Sequence, residues 1–382
     1  MIVNKKKPED FFTRVKAYIL SVNPRHEKSR LLPFTNLFLE HIPYLIVLFA
    51  YLIIGFFVGN FLGQNVFLDI KWRYEIMTSF TYLFFLCFLF LQVIILFSRI
   101  VAHFIEIMTG KVIKNQRNLE KLITIQRIGG FIIIYATIPL FLGVFSNIKQ
   151  SIPLVHPFTW DRFFMKLDRV LHGGHHPWIL LQPFLGYPAV TKVIDYCYVS
   201  WFLSLATVLL WMGWSKKRRL RAQFFFSFVM IWILIGTVLA ILFSSAGPCY
   251  YPNVTDGINP FRQLMSYLDS IHENSFLFAR KYQIGIWEAY VRDISLPFGG
   301  ISAMPSVHVA TAVLFAFAGW STNRVLGIVL TVYALLIQIG SVHLGWHYAV
   351  DGYFAALLTY LIWKLADRVL KGLGWAATEE VV

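Results

Sequence analysis

The chain has 382 residues, 57% of them hydrophobic and 17% aromatic, with only 14% charged. Soluble globular proteins carry about 25% charged residues, so this composition excludes a soluble domain and points to an all-α, polytopic membrane protein. The net charge of +14 would suit a nucleic-acid partner, but the basic residues sit in loops between apolar runs, and no nucleic acid is expected. Cys87 and Cys197 lie in apolar runs and Cys249 stands alone in a loop, so no disulfide framework is readable.

A helix needs roughly 20 apolar residues to cross a bilayer. Stretches of that kind cover 43–62, 77–98, 129–148, 193–214, 224–243, 303–320, 325–342 and 348–365. Residues 1–42 ahead of them are polar and basic and read as a tail without a cleaved leader. The first two spans (43–98) precede a mixed, basic segment, 99–127, which reads as a linker helix. A six-helix core, 128–366, follows, and then a short tail, 367–382. Within the core, 158–173 carries Phe163, Phe164, Leu167, Val170 and Leu171 on one helical face, as expected of a helix lying at the membrane interface. A long loop, 246–302, connects the fifth and sixth spans.

Eight spans put both termini on one side. About two thirds of the 34 lysines and arginines fall in loops on that side, with Lys216-Lys217-Arg218-Arg219 the sharpest cluster. By the positive-inside rule both termini are cytoplasmic.

Two motifs stand at helix mouths: Met304-Pro305-Ser306-Val307-His308 and His347-Tyr348-Ala349-Val350-Asp351. Ionisable side chains are costly in hydrocarbon, so those at the ends of spans are candidates for function. All four polar members, Ser306, His308, His347 and Asp351, fall on the non-cytoplasmic side. So does Gly247-Pro248-Cys249-Tyr250-Tyr251-Pro252, which makes Tyr250 and Tyr251 candidate substrate contacts. A helix starting at Pro305-Ser306 directs free N–H groups and a positive dipole end outward, which suits an anion. Ser306 adds a hydroxyl there, and His308 stands ready to protonate a leaving oxygen. His347 and Asp351, four residues apart, share a helix face. The carboxylate would fix one ring nitrogen and leave the other as a nucleophile. The bland alternatives are an ordinary helix start and a buried polar pair. His343 lies one turn before His347, although Gly345 interrupts that projection. His172, His175 and His176 have spacing that permits a metal, but glycine-flanked histidines without Cys or Glu suit a turn better, and no metal or cofactor is expected.

Together these residues resemble the type-2 phosphatidic acid phosphatase superfamily, whose second motif is Pro-Ser-Gly-His and whose third ends in His-x-x-x-Asp. The resemblance covers the six-span core. It implies that His347 attacks phosphorus, Asp351 orients it, His308 protonates the departing oxygen and then activates the acceptor, and Ser306 holds phosphate oxygens. Three of that family's cations are missing. The exit of the fifth span has no Lys-x6-Arg-Pro, and Ser341 stands where an arginine is expected; Val307 also replaces the motif glycine. Charge stabilisation carries most of phosphoryl transfer, so a singly charged phosphodiester suits the remaining residues better than a phosphomonoester. In this respect the chain is most similar to the branch of inositol phosphorylceramide synthase and sphingomyelin synthase. Arg262, Arg292, Arg280 and Lys281 in the outer loop are candidate replacements for the missing charge.

Membrane lipids are the expected partners, with a phospho-head-group passed from a phosphodiester lipid to an alcohol. The alternatives are a phosphatase acting on phosphatidic acid or polyprenyl phosphate with the same residues, and, from another class, a transporter or a non-catalytic relative. The ionisable residues cluster at one mouth rather than at a midplane flanked by broken helices, which argues against a transporter.

Overall fold

The computed structural model describes residues 32–61, a part of 74–104, and 125–374 apart from residue 297. Among these the protein is helical, with no strand. We label the helices α1 (Leu32–Phe61), α2 (Ile125–Val155), α3 (Asp161–Leu171), α4 (Pro177–Leu185), α5 (Pro188–Val199), α6 (Trp201–Gly213), α7 (Arg218–Leu242), α8 (Arg262–Asn274), α9 (Phe278–Val291), α10 (Val307–Trp320), α11 (Arg324–His343) and α12 (Ala349–Gly372). Six stretches are long and apolar enough to cross a bilayer: His41–Phe61, Ile128–Val155, Pro188–Gly213, Arg218–Leu242, Arg324–His343 and Ala349–Gly372. The protein is therefore a polytopic, all-α integral membrane protein. The expected span 77–98 and the linker 99–127 lie mostly outside the described residues.

The centre is α7. Phe224, Phe225, Phe228 and Ile231 on it are fully buried, and it packs against α1, α10 and α12. Peripheral helices keep apolar side chains outward at helical spacing, such as Ile46, Phe49, Ile53 and Phe57 on α1 and Val325, Ile328, Val332 and Leu335 on α11. In water such surfaces would be a liability; facing lipid tails they are the expected exterior.

The structure departs from the sequence expectation in three places. The stretch 303–320 is not one span-length helix: 303–306 is non-helical, and α10 begins at Val307 with Ser306 as its cap, so only 14 residues are helical. His347 is not on the helix that carries Asp351, and, as Gly345 implied, it is not on that of His343 either. Gly345, at φ +73°, breaks the chain after α11 in a conformation that only glycine adopts cheaply, and His347 precedes α12. The amphipathic helix α3 keeps most of its apolar face outward, as an interfacial helix does, but turns Phe164 inward with two acids. Phe163, Val170 and Leu171 face outward, while Asp161, Phe164 and Asp168 are buried against the protein.

Candidate active site

Three stretches of chain meet at one end of the bundle: 244–250 after α7, 303–308 before α10, and 345–351 before α12. Their backbones are stitched together. Ser306 N–H donates to the Asp351 carbonyl (3.3 Å), Cys249 N–H to the Gly345 carbonyl (2.9 Å), and Ala303 N–H to the Ser245 carbonyl (2.9 Å). Trp346 and His347 N–H both donate to the Ser341 carbonyl, at 2.9 and 3.1 Å. The side chains of two separate motifs are thereby held by main-chain bonds rather than by loose contacts.

The side chains form a relay. His347 Nδ1 lies 3.2 Å from Asp351 Oδ2, and the same carboxylate oxygen accepts Tyr348 N–H at 3.0 Å. Asp351 is the third residue of α12, so it reaches back to the N-terminal backbone as a capping-box acid does. On the other side His347 Nε2 is 3.2 Å from Ser306 Oγ. Burial, reinforced by the Lys149 ammonium, lowers the His347 imidazole to about 3. The ring is thus neutral at ordinary pH. In the tautomer that gives Nδ1–H to Asp351, Nε2 has a lone pair that can accept the Ser306 hydroxyl.

His308, in the first turn of α10, has its ring centroid 6.4 Å from that of His347. Aromatic side chains of α5 and α6 hold it: Tyr198 stacks on it at 5.2 Å and Trp201 lies at 4.1 Å. Trp201 is itself fixed by donating its indole N–H to Thr311 Oγ1 (2.9 Å). Among the described residues the His308 ring nitrogens have no hydrogen-bond partner. A gap of this size between two imidazoles accommodates one tetrahedral phosphorus centre.

Both histidines line a cavity of about 670 Å³, within the range of small-molecule sites. Its wall is mostly apolar and runs from Phe131 and Ile134 near the start of α2, past Leu142, to Lys149 and the histidines, with α5 and α6 opposite. Tyr250 is also in the wall, its hydroxyl donating to the Gln283 carbonyl (2.8 Å).

The remaining sequence candidates are elsewhere. Tyr251 is buried beside Phe261 and is not in the wall. His343 is buried with Nε2 2.9 Å from Thr191 Oγ1, on the far side of the Gly345 break. Arg262 and Arg292 are exposed on the outer-loop helices α8 and α9 and do not line the cavity. Arg280 is engaged by Asp269 and Gln283, and Lys281 lies over the Phe276 ring at 5.5 Å.

Three buried aspartates that were not among the sequence candidates hold this end together. Asp161 accepts N–H from Ala246 (2.9 Å) and Gly247 (2.8 Å) and the Tyr348 hydroxyl (2.8 Å). Asp168 accepts the first two amides of α12, Ala349 (2.8 Å) and Val350 (2.9 Å). Asp195 does the same for Phe278 (2.6 Å) and Ala279 (2.8 Å) at the start of α9. Burial raises the Asp161 and Asp168 carboxyls while these amide bonds pull them back. The signal in sequence was faint: Asp161 and Asp168 are seven apart on α3, with Phe164 between them on the same face.

An all-α membrane bundle with a His/His/Asp/Ser cluster at the mouth of its helices holds groups of the kind phosphoryl transfer uses, a carboxylate-bound imidazole with a second imidazole facing it. The chain belongs to the PAP2 superfamily, whose profile matches residues 162–365, more than half of the sequence. That membership places it with phosphatase and phosphotransferase-type lipid enzymes. Comparison with curated proteins and with solved structures gave no match.

Proposed function

We propose that the protein is a lipid phosphotransferase that moves a phospho-head-group from a phosphodiester lipid to an alcohol through a phosphohistidine. The observation that carries this reading is the oriented His347: Asp351 on Nδ1, Ser306 on Nε2, and His308 across a 6.4 Å gap. In the first half-reaction Nε2 attacks phosphorus and forms a P–N bond. The P–O bond to the donor breaks, and His308 gives the leaving oxygen a proton. Asp351 balances the positive charge that develops on the His347 ring. In the second half His308 takes the proton of the acceptor hydroxyl, whose oxygen attacks phosphorus as the P–N bond breaks. Ser306 and the N-terminus of α10 hold phosphate oxygens throughout.

The apolar furrow along α2 supports a lipid substrate. Its wall excludes water around the reacting centre, which favours an alcohol over water as acceptor. The motif-bearing ends sit on the face opposite the Lys216–Arg221 cluster, so the positive-inside rule puts the site at the non-cytoplasmic surface with both termini in the cytoplasm.

Incubating purified protein with phosphodiester lipids, with and without a candidate alcohol, tests the reading by product identity. Head-group transfer that depends on the alcohol is expected. Release of the phospho-head-group into water alone would instead establish the hydrolase, and no turnover of any lipid phosphate ester would reject both.

A further inference from the structure

The site as drawn has no cation. Phosphoryl transfer needs one, since charge accumulates on the equatorial oxygens, and the outer-loop arginines are not in the cavity wall. One Lys or Arg is. Lys149 lines the cavity together with His308 and His347, and its charge acts on the His347 imidazole. It is half-buried, and among the described residues it has no hydrogen bond and no ion pair. The carboxylate in the same wall, Asp195, is occupied by two amides and is not its counter-ion. A half-buried ammonium without a partner is costly, and an anionic ligand in the cavity would offset that cost.

The backbone around Lys149 is held against the motif that carries Ser306 and His308. Leu296 N–H donates to Gln150 Oε1 (3.0 Å) and Phe298 N–H to Ser146 Oγ (3.0 Å). Gly300, at φ +99°, lies so close that a Cβ there would stand 2.9 Å from the Lys149 carbonyl carbon and 3.0 Å from the Gln150 nitrogen. The loop that leads into Ala303–Ser306 is therefore built onto the turn of α2 that presents Lys149.

We infer that Lys149 is the phosphate-binding cation of this site, supplied by α2 from outside residues 162–365, in place of cations absent from the family's motif positions. The ligand is the phosphate group of the substrate lipid. Lys149 neutralises its non-bridging oxygens while His347 attacks. The inference rests on the reading of the cavity as a phosphate-ester site.

The test uses the full chain in detergent and orthovanadate, a phosphate mimic, alongside kcat/KM for a phosphodiester lipid. Lys149→Met should weaken vanadate binding and lower kcat/KM by about 100-fold or more, with an unchanged melting midpoint. Lys149→Arg, which keeps the charge, should stay within about 10-fold of wild type in both. Vanadate binding by Lys149→Met within about twofold of wild type overturns the inference, as does a wild type that binds no vanadate. Equal losses in both variants with a lowered midpoint would also overturn it, showing a packing role. If wild-type protein turns over no lipid phosphate ester yet binds vanadate in a Lys149-dependent way, the anion site stands and the proposed reaction falls.

Discussion

The two ends of α12 neutralise carboxylates in opposite ways. At the C-terminal end Asp367 is matched by cations: Arg219 bonds its Oδ1 and Lys371 its Oδ2 at 2.6 Å. At the N-terminal end Asp161, Asp168 and Asp351 have no Lys or Arg partner among the described residues and take backbone N–H, hydroxyl and imidazole donors instead. Helix N-termini and turns offer uncommitted amides, so a carboxylate there is neutralised by dipoles. The consequence is chemical. A cation placed beside these acids would be spent on them, whereas amide-bound acids leave Lys149 free for a ligand. One end of the helix is a fastening, and the other is both a fastening and the proposed reaction site.

That contrast predicts a ranking of effects. His347→Ala should cut turnover of any accepted lipid by about 10³-fold or more, with expression and detergent behaviour unchanged, because it removes the attacking atom. Wild-type rates in that variant would reject the nucleophile. Next comes Asp351→Asn, which keeps the shape but loses the charge on Nδ1. A loss of about 10²- to 10³-fold in kcat is expected. A full rate would mean that Asp351 only fastens backbone, as Asp168 does.

Asp168→Asn sharpens the comparison from the other side. The amide still accepts one of the two α12 N–H groups but presents NH2 to the other, so about 1–3 kcal/mol of stability should be lost, read as a lower midpoint in thermal unfolding. Activity should fall through misplacement of His347 and recover on cooling. Arg219→Ala, at the other end, removes a partly exposed ion pair. Its stability effect should be about 1 kcal/mol or less, with kcat/KM unchanged; a large loss of activity there would show that the two ends are coupled. The smallest effect belongs to Arg262→Ala combined with Arg292→Ala. Both side chains are exposed outside the cavity, so rates within about twofold of wild type are expected, and a large drop would bring the outer loop into the site.

Much of this was legible from residue order. The spans are continuous apolar runs, and a run of that length has few alternatives to a helix. The His347/Asp351 spacing and the Ser306 cap are local, so the sequence carried them even though α12 begins after His347 and holds only Asp351 of the pair. Lys149 was missed because the apolar run was ended at Ile148, which put the lysine in a loop. The helix in fact continues to Val155, and Lys149 is the one charged residue in the span Ile128–Val155. That is a signal the sequence did contain. The inward turn of Phe164 with Asp161 and Asp168 on α3 carried no such signal. An apolar face suits lipid as well as it suits a core, so hydrophobic pattern alone cannot choose between them.

Sequence by itself determined that this is an all-α membrane protein and singled out Ser306, His308, His347 and Asp351 as candidates for its chemistry, because hydropathy and short helical spacing are properties of neighbours along the chain. Only the tertiary structure decided that His308 comes within one phosphorus centre of His347, that aspartates of α3 clamp the start of α12, and that α2 brings Lys149 to the same cavity. Those are contacts between segments separated by tens to hundreds of residues, fixed by packing and by which buried amide meets which carboxylate, and no local pattern encodes that choice.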